Sequence, residues 1–179
     1  MKDFAGDIVP FFRINQGMYK CELEEIKMVK NQDIRKAVEG MLDPDNYFIV
    51  GVQNPQDTIK VIIDGFNGVD LDKCAEITRD LRSLFGEQLD EYNVEVTSPG
   101  LTSPFQVKEQ YIKNKGNKVE VLLQNGEKIK GKLMDVYPDE IIVEEKKRIK
   151  NEKKKKKTVR EEKTITFDEI KHTKLIISF

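Results

Sequence analysis

The sequence predicts an α+β fold in two parts: an N-terminal α-β-β-α-β unit, then a small C-terminal β-barrel of SH3-like or Sm-like type. Three observations carry this prediction. Helical periodicity flanks two β-rich runs in the first part and gives way to short alternating strands in the second. Between them lies a Pro/Gly stretch, Ser98-Pro99-Gly100 followed by Pro104. Charge divides at the same place: residues 43–107 hold 12 acidic and 4 basic side chains, and residues 108–163 hold 18 basic and 11 acidic.

In chain order, residues 1–27 mix Gly, Pro, aromatics and charges without sustained period. They are expected to be a poorly ordered extension, or to precede a true start at Met18 or Met28. From Asn31, the spacing of Ile34, Ala37, Val38, Met41 and Leu42 predicts a helix, with Asn31 as its cap and Asp43-Pro44 as its stop. YFIVGVQ (47–53) and TIKVIID (58–64) flank Asn54-Pro55-Gln56-Asp57 and predict a hairpin with a four-residue connection. Leu71, Cys74, Ala75, Ile77, Thr78, Leu81, Leu84 and Phe85 then mark one helical face. Asp70 or Asp72 can accept from that helix's free N–H groups, and Gly86 ends it. Tyr92, Val94 and Val96 alternate in a third strand, 92–98, so two helices should cover one side of a three-stranded sheet.

Proline lacks the ladder N–H and restricts the residue before it, and glycine permits φ > 0, so the strand ends at Ser98-Pro99-Gly100 and the chain turns. Residues 28–98 are therefore read as an acidic domain, 99–105 as a stiff junction and 106–179 as the barrel. In the barrel, KVEVLLQ (118–124) and EKIKGKLMDVY (127–137) flank Asn125-Gly126, a two-residue turn that needs φ > 0 at both positions. DEIIVEE (139–145), KTITF (163–167) and KLIISF (174–179) supply further strands, with a short helical turn at Asp168–His172. The lysine-rich stretch 146–163 is expected to be a solvated loop.

The charge split, net −8 against net +7, suits two surfaces with different partners: phosphate on the basic side, cationic protein on the acidic side. Lys146, Lys147, Arg148, Lys150 and the run Lys153, Lys154, Lys155, Lys156, Lys157 are the candidate RNA contacts. Neither an RNP-type aromatic motif nor a GXXG loop accompanies them, so sequence-specific reading is not supported. No apolar run approaches the roughly 20 residues that span a bilayer, and Ile8-Val9-Pro10-Phe11-Phe12 is too short and Pro-broken for a signal core. Cys21 and Cys74 are too few for a disulfide framework or zinc site, which suits a cytoplasmic protein.

Catalytic readings fail one by one. GEKIKGKL (126–133) places Gly126, Gly131 and Lys132 as in a phosphate-binding loop, but Leu133 lacks the metal-binding hydroxyl and the context is a hairpin. Gly131 is better read as a bend or bulge. Asp64, Asp70 and Asp72 lack the alternate oxygen ligands of a calcium loop, since Phe66 and Gly68 occupy those positions. His172 is the only histidine, Ser98 has no base nearby in sequence, and Cys74 sits on an apolar helix face as a small hydrophobe. The expectation is a non-enzymatic binding protein with no cofactor, metal or small-molecule substrate.

The junction also carries a resemblance. The strand ending in Ser98-Pro99-Gly100-Leu101, followed by Pro104-Phe105, resembles the interdomain signature of the bacterial ribosome maturation factor RimP family. GVDLDKCAEITRDL (68–81) is similar to a helix start of that family, and the likeness covers roughly residues 28–179. Where the family has a carboxylate and an arginine before the second proline, this chain has Thr102 and Ser103. The resemblance implies association with the small ribosomal subunit during its maturation, with the C-terminal barrel contacting a ribosomal protein near the decoding centre. The competing readings are a general Sm-like RNA chaperone and a nucleotide hydrolase.

Overall fold

The computed structural model of the chain describes residues 29–150 and 156–177. The expected N-terminal extension, 1–27, lies outside the described residues. The first helix, α1 (Asn31–Met41), starts one residue earlier than the capping argument placed it. Lys30 holds the cap position in extended conformation without a side-chain bond, so Asn31 is already helical. Ile34 and Val38, one turn apart, are its buried positions, and Leu42 leaves the helix in extended conformation just before Asp43-Pro44.

Strands β1 (Tyr47–Gln53) and β2 (Thr58–Gly65) form the expected antiparallel hairpin, with Gln56 at φ 54° in its connection. Helix α2 (Leu71–Phe85) begins at Asp70, whose carboxylate accepts from Lys73 N at 2.7 Å, which settles the choice between Asp70 and Asp72. Gly86 closes it at φ 49°. Three residues of the expected apolar face stand outside the core: Leu71 is 87% exposed, Leu84 62%, and Ala75 is exposed as well. The core face is narrower than the sequence stripe, centred on fully buried Ile77 and Leu81. After a 3-10 turn at Gly86–Leu89, β3 (Asn93–Thr97) runs parallel to β2, giving the order β1-β2-β3. One core joins α1 and α2 to the sheet through Ile34, Val38, Ile59, Val61, Ile63, Ile77, Leu81 and Leu89.

The second half contains a helix that the sequence reading missed, α3 (Lys108–Lys113). Five antiparallel strands follow: β4 (Lys118–Leu123), β5 (Lys128–Val136), β6 (Glu140–Lys150), β7 (Lys156–Thr166) and β8 (Ile170–Leu175). Their order is β7-β6-β5-β4-β8. Val119, Val121, Leu123, Ile129, Leu133, Ile141, Val143 and Ile165 alternate inward to make a second core, closed by Tyr111 of α3.

Several local expectations need correction. The Asn125-Gly126 turn has positive φ at Gly126 alone. Gly126 N donates to Leu123 O and Leu123 N to Glu127 O, so the loop is a three-residue turn with glycine in the left-handed position. The supposed loop 146–163 is largely strand: β6 and β7 stay paired out to Lys150 opposite Lys156. A partner strand in register outweighs the charge repulsion that suggests a loop. Strand 163–167 is the end of this longer β7, the last strand lies at 170–175 instead of 174–179, and the short helical turn is at Phe167–Glu169.

Candidate interaction surfaces

Two places combine the sequence-predicted site residues with defined geometry: the junction and the basic face of the second sheet. At the junction, Ser98, Pro99 and Gly100 follow β3, and Ser103 N donates to Gly100 O at 2.9 Å to make a turn. Gly100 does not use the left-handed region. A Cβ there would lie 2.9 Å from Ser103 Oγ, the end of a side chain that can turn away, so neither φ nor backbone packing demands glycine. Leu101 is 75% exposed at the tip of this turn.

Pro104 delivers Phe105 to the second core. Phe105 N donates to Thr173 O of β8 at 2.9 Å, and its ring meets Tyr111 edge-on at 5.0 Å. Tyr111 in turn meets Phe167 edge-on at 5.2 Å and donates its hydroxyl to Thr173 Oγ1 at 3.0 Å. Burial pushes the Tyr111 phenol up from its ordinary value, with the Thr173 bond opposing the rise. Buried Gln110 holds the entry to α3: its side-chain oxygen accepts from Gln106 N at 2.7 Å and Val107 N at 3.3 Å.

The same short helix reaches back to the first half. Lys113 Nζ donates to Asp64 Oδ1 at 2.7 Å, and that oxygen also accepts from Gly65 N at 2.8 Å. Asp64 is buried at the end of β2, so this ion pair is shielded from solvent. The pair and the turn frame a cleft of about 250 Å³ lined by Ser98 to Leu101, Ser103 and Phe105 together with Gly68, Gln110 and Asn114. Nothing local to Asp64 in the sequence marks Lys113, 49 positions away, as its partner. The one local signal for α3 was Tyr111 four residues after Val107 with Glu109 in the first turn, too short a stretch to outweigh the surrounding strand pattern.

Of the candidate RNA contacts, Lys146, Lys147, Arg148 and Lys150 lie on β6, and Lys156 and Lys157 on β7. Lys153, Lys154 and Lys155 lie outside the described residues. The ladder joins Lys146 to Arg160 and Lys150 to Lys156, so the stretch is a paired arm. Nearer the sheet centre, Lys118, Lys130, Lys132 and Lys146 border a groove of about 450 Å³ with Gly116, Gly131, Glu144 and Ile176. Gly131 is required there by packing. A Cβ would sit 2.4 Å from Glu144 O and 2.5 Å from a Val143 methyl, while the register shift that marks the β5 irregularity falls between Leu133 and Asp135. The segment that mimics a phosphate-binding loop is thus a hairpin and strand.

Among the described residues, no three His, Cys, Asp or Glu side chains gather as metal ligands, and no helix is long and apolar enough to cross a membrane. Cys74 is half-buried, with its thiol pushed up by burial and by nearby Asp70.

Comparison with known proteins agrees with the junction's resemblance. The model of the RimP N-terminal domain matches residues 37–102. The ribosome maturation factor RimP of Porphyromonas gingivalis (strain ATCC 33277) is 35% identical over 152 residues, covering 84% of this chain and all of that protein. Its counterparts in Flavobacterium psychrophilum and Christiangramia forsetii are 30% and 28% identical, over 85% and 83% of this chain and 100% and 98% of theirs.

Proposed function

The chain belongs to the RimP family, and from that premise we propose that it is a maturation factor for the small ribosomal subunit, working by binding and not by catalysis. The observation that carries the reading is the match to a protein named ribosome maturation factor along that protein's whole length. The charge division supports it. An acidic N-terminal domain suits a cationic ribosomal protein, and a basic C-terminal domain suits rRNA phosphate. In this reading residues 28–98 and 106–179 are separate domains, the second an SH3-like barrel, joined through Ser98, Pro99, Gly100, Leu101, Pro104 and Phe105. The barrel faces rRNA and a ribosomal protein near the decoding centre, and the arm residues Lys146 to Lys157 supply phosphate contacts. The protein acts in the cytoplasm without cofactor.

Sedimentation of tagged protein through a sucrose gradient tests this. Co-migration with immature small subunits, and not with mature subunits or free RNA, is the expected result. Binding to free RNA alone would favour the general chaperone reading, and turnover of any nucleotide would revive an enzyme.

A further inference from the structure

The pairing of the second sheet brings together cations that overlap the lysine-rich candidates only at Lys146. On the outer face of that sheet Lys118 lies directly opposite Lys132, and Lys146 opposite Arg160. Like charges placed across a ladder are destabilising. Nearby acids do not relieve all of this charge. Glu120 is engaged by Lys130 at 2.7 Å, which holds its carboxyl below the ordinary range, and Glu144, which lies opposite Lys132 and lines the groove, is engaged by Arg160 at 3.6 Å. Lys118, Lys132 and Lys146 have no ion pair among the described residues.

These three cations and Lys130 surround the groove of about 450 Å³. Among the described residues its lining has no aromatic ring and one large apolar side chain, Ile176. A partner that stacks its bases finds no ring among these residues, whereas a chain of regularly spaced anions meets four lysines. The groove spans β4, β5 and β6, about 10 Å at the usual spacing between strands. A single nucleic-acid strand enters such a space and a duplex is too wide for it.

We infer that this groove binds the phosphodiester backbone of single-stranded RNA, with Lys118, Lys132 and Lys146 as its phosphate contacts and Lys130 shared with Glu120. The inference rests on the reading of the chain as a ribosome maturation factor and deepens it, by placing the RNA contact on the face of the sheet as well as on the arm. The contact is independent of base identity and steeply dependent on salt.

The test uses the full chain and a labelled single-stranded polyuridine RNA, titrated across a salt series. The variant is Lys118→Gln with Lys132→Gln. Its comparison is Lys36→Gln with Lys171→Gln, which removes the same charge from exposed positions outside the groove. Loss of two contacts should lower the salt slope by about 1.4 and weaken binding about 25-fold at ~0.1 M salt, at ~0.7 log unit per contact per decade. The comparison variant should stay near wild type. Lys118→Arg with Lys132→Arg should retain binding, which guards against loss of folding as the cause. Equal binding by the Gln variant and wild type would overturn the inference, as would equal loss in both Gln variants. Duplex RNA binding as tightly as the single strand, or an acidic polyglutamate peptide displacing the RNA at equal charge, would also overturn it. The gradient experiment remains separate: a Gln variant that still co-migrates with immature subunits, with its RNA affinity unchanged, would remove the groove and leave the family reading intact.

Discussion

Both halves commit charges to ion pairs, but only in the second does the ladder place cation opposite cation. In the first half many charged groups are consumed by the architecture. Asp70 caps α2, Asp43 holds its own turn by accepting from Asp45 N and Asn46 Nδ2, and Glu76 and Glu95 pair with Lys73 and Lys60. Asp64 is committed to Lys113 across the junction. In the second half Lys115, Lys130, Arg160 and Lys163 also pair with acids, but the ladder sets Lys118 opposite Lys132 and Lys146 opposite Arg160, with Glu144 opposite Lys132 on its other side. Charges that satisfy backbone groups or oppositely charged neighbours belong to the fold. Charges held beside their own kind cost stability, and that cost is recovered only when an anion arrives.

If the halves are as distinct as their separate cores suggest, the largest effects will come from cutting one core and watching the other. Leu81→Ala and Leu133→Ala each remove a fully buried side chain, and each should cost about 3–5 kcal/mol. Hydrogen exchange should show lost protection in β2 for the first and in β4 for the second, each half opening alone. Equal loss in both sheets from either substitution would mean one cooperative unit. A smaller effect concerns the contact between them. Lys113→Met leaves the buried Asp64 carboxylate with only Gly65 N as partner and should cost about 1.5–3 kcal/mol in urea unfolding. A double-mutant cycle with Asp64→Asn should show coupling above ~0.5 kcal/mol. Additive effects would mean that the halves are not held by this pair.

The same contrast explains what was legible in the sequence. Elements set by local pattern were readable: the β1–β2 hairpin with its Asn54–Asp57 connection, the α2 core positions Ile77 and Leu81, and the inward row Val119, Val121 and Leu123. Features decided by a distant partner were not. Isolated, the stretch from Lys146 to Lys150 reads as a repelling loop, and only the β7 register makes it a strand. The six-residue α3 is marginal as an isolated helix and is held by Gln110, Tyr111 and Lys113 contacts to other segments. Charge counting located the basic half but passed over Lys118 and Lys132, because these are neighbours across a sheet and fourteen positions apart in the chain.

Tyr111 provides a pH-dependent probe of the second core alone. Its folded-state pKa is raised by burial, so the stability it contributes is complete below the phenol's unfolded value, about 10, and is lost as pH rises through the higher folded value. Tyr111→Phe should remove that alkaline loss. At neutral pH it should cost about 1 kcal/mol by leaving Thr173 Oγ1 without the hydroxyl bond. A tyrosine-dependent alkaline transition that persists in the variant would place the titrating group elsewhere.

The smallest expected effect has the opposite sign and tests the comparison most directly. If Lys118 and Lys146 are held against like charges for the sake of a ligand, neutralising either should stabilise the free protein. Lys118→Gln relieves its opposition to Lys132, and Lys146→Gln relieves that to Arg160. Each should gain about 0.2–1 kcal/mol, the range of cross-strand pair energies. The gain should shrink as salt rises, because these side chains lie at the surface where screening is effective. Substitution of Lys60 on β2, which lies opposite Glu95 and pairs with it, should show no such gain and a slight loss instead. Thermal unfolding of the three variants at low and high salt reads both predictions in one series. A loss of stability on removing Lys118 would mean that its charge is already satisfied within the fold, and the division between consumed and unconsumed charge would fail at the residue where it is most sharply drawn.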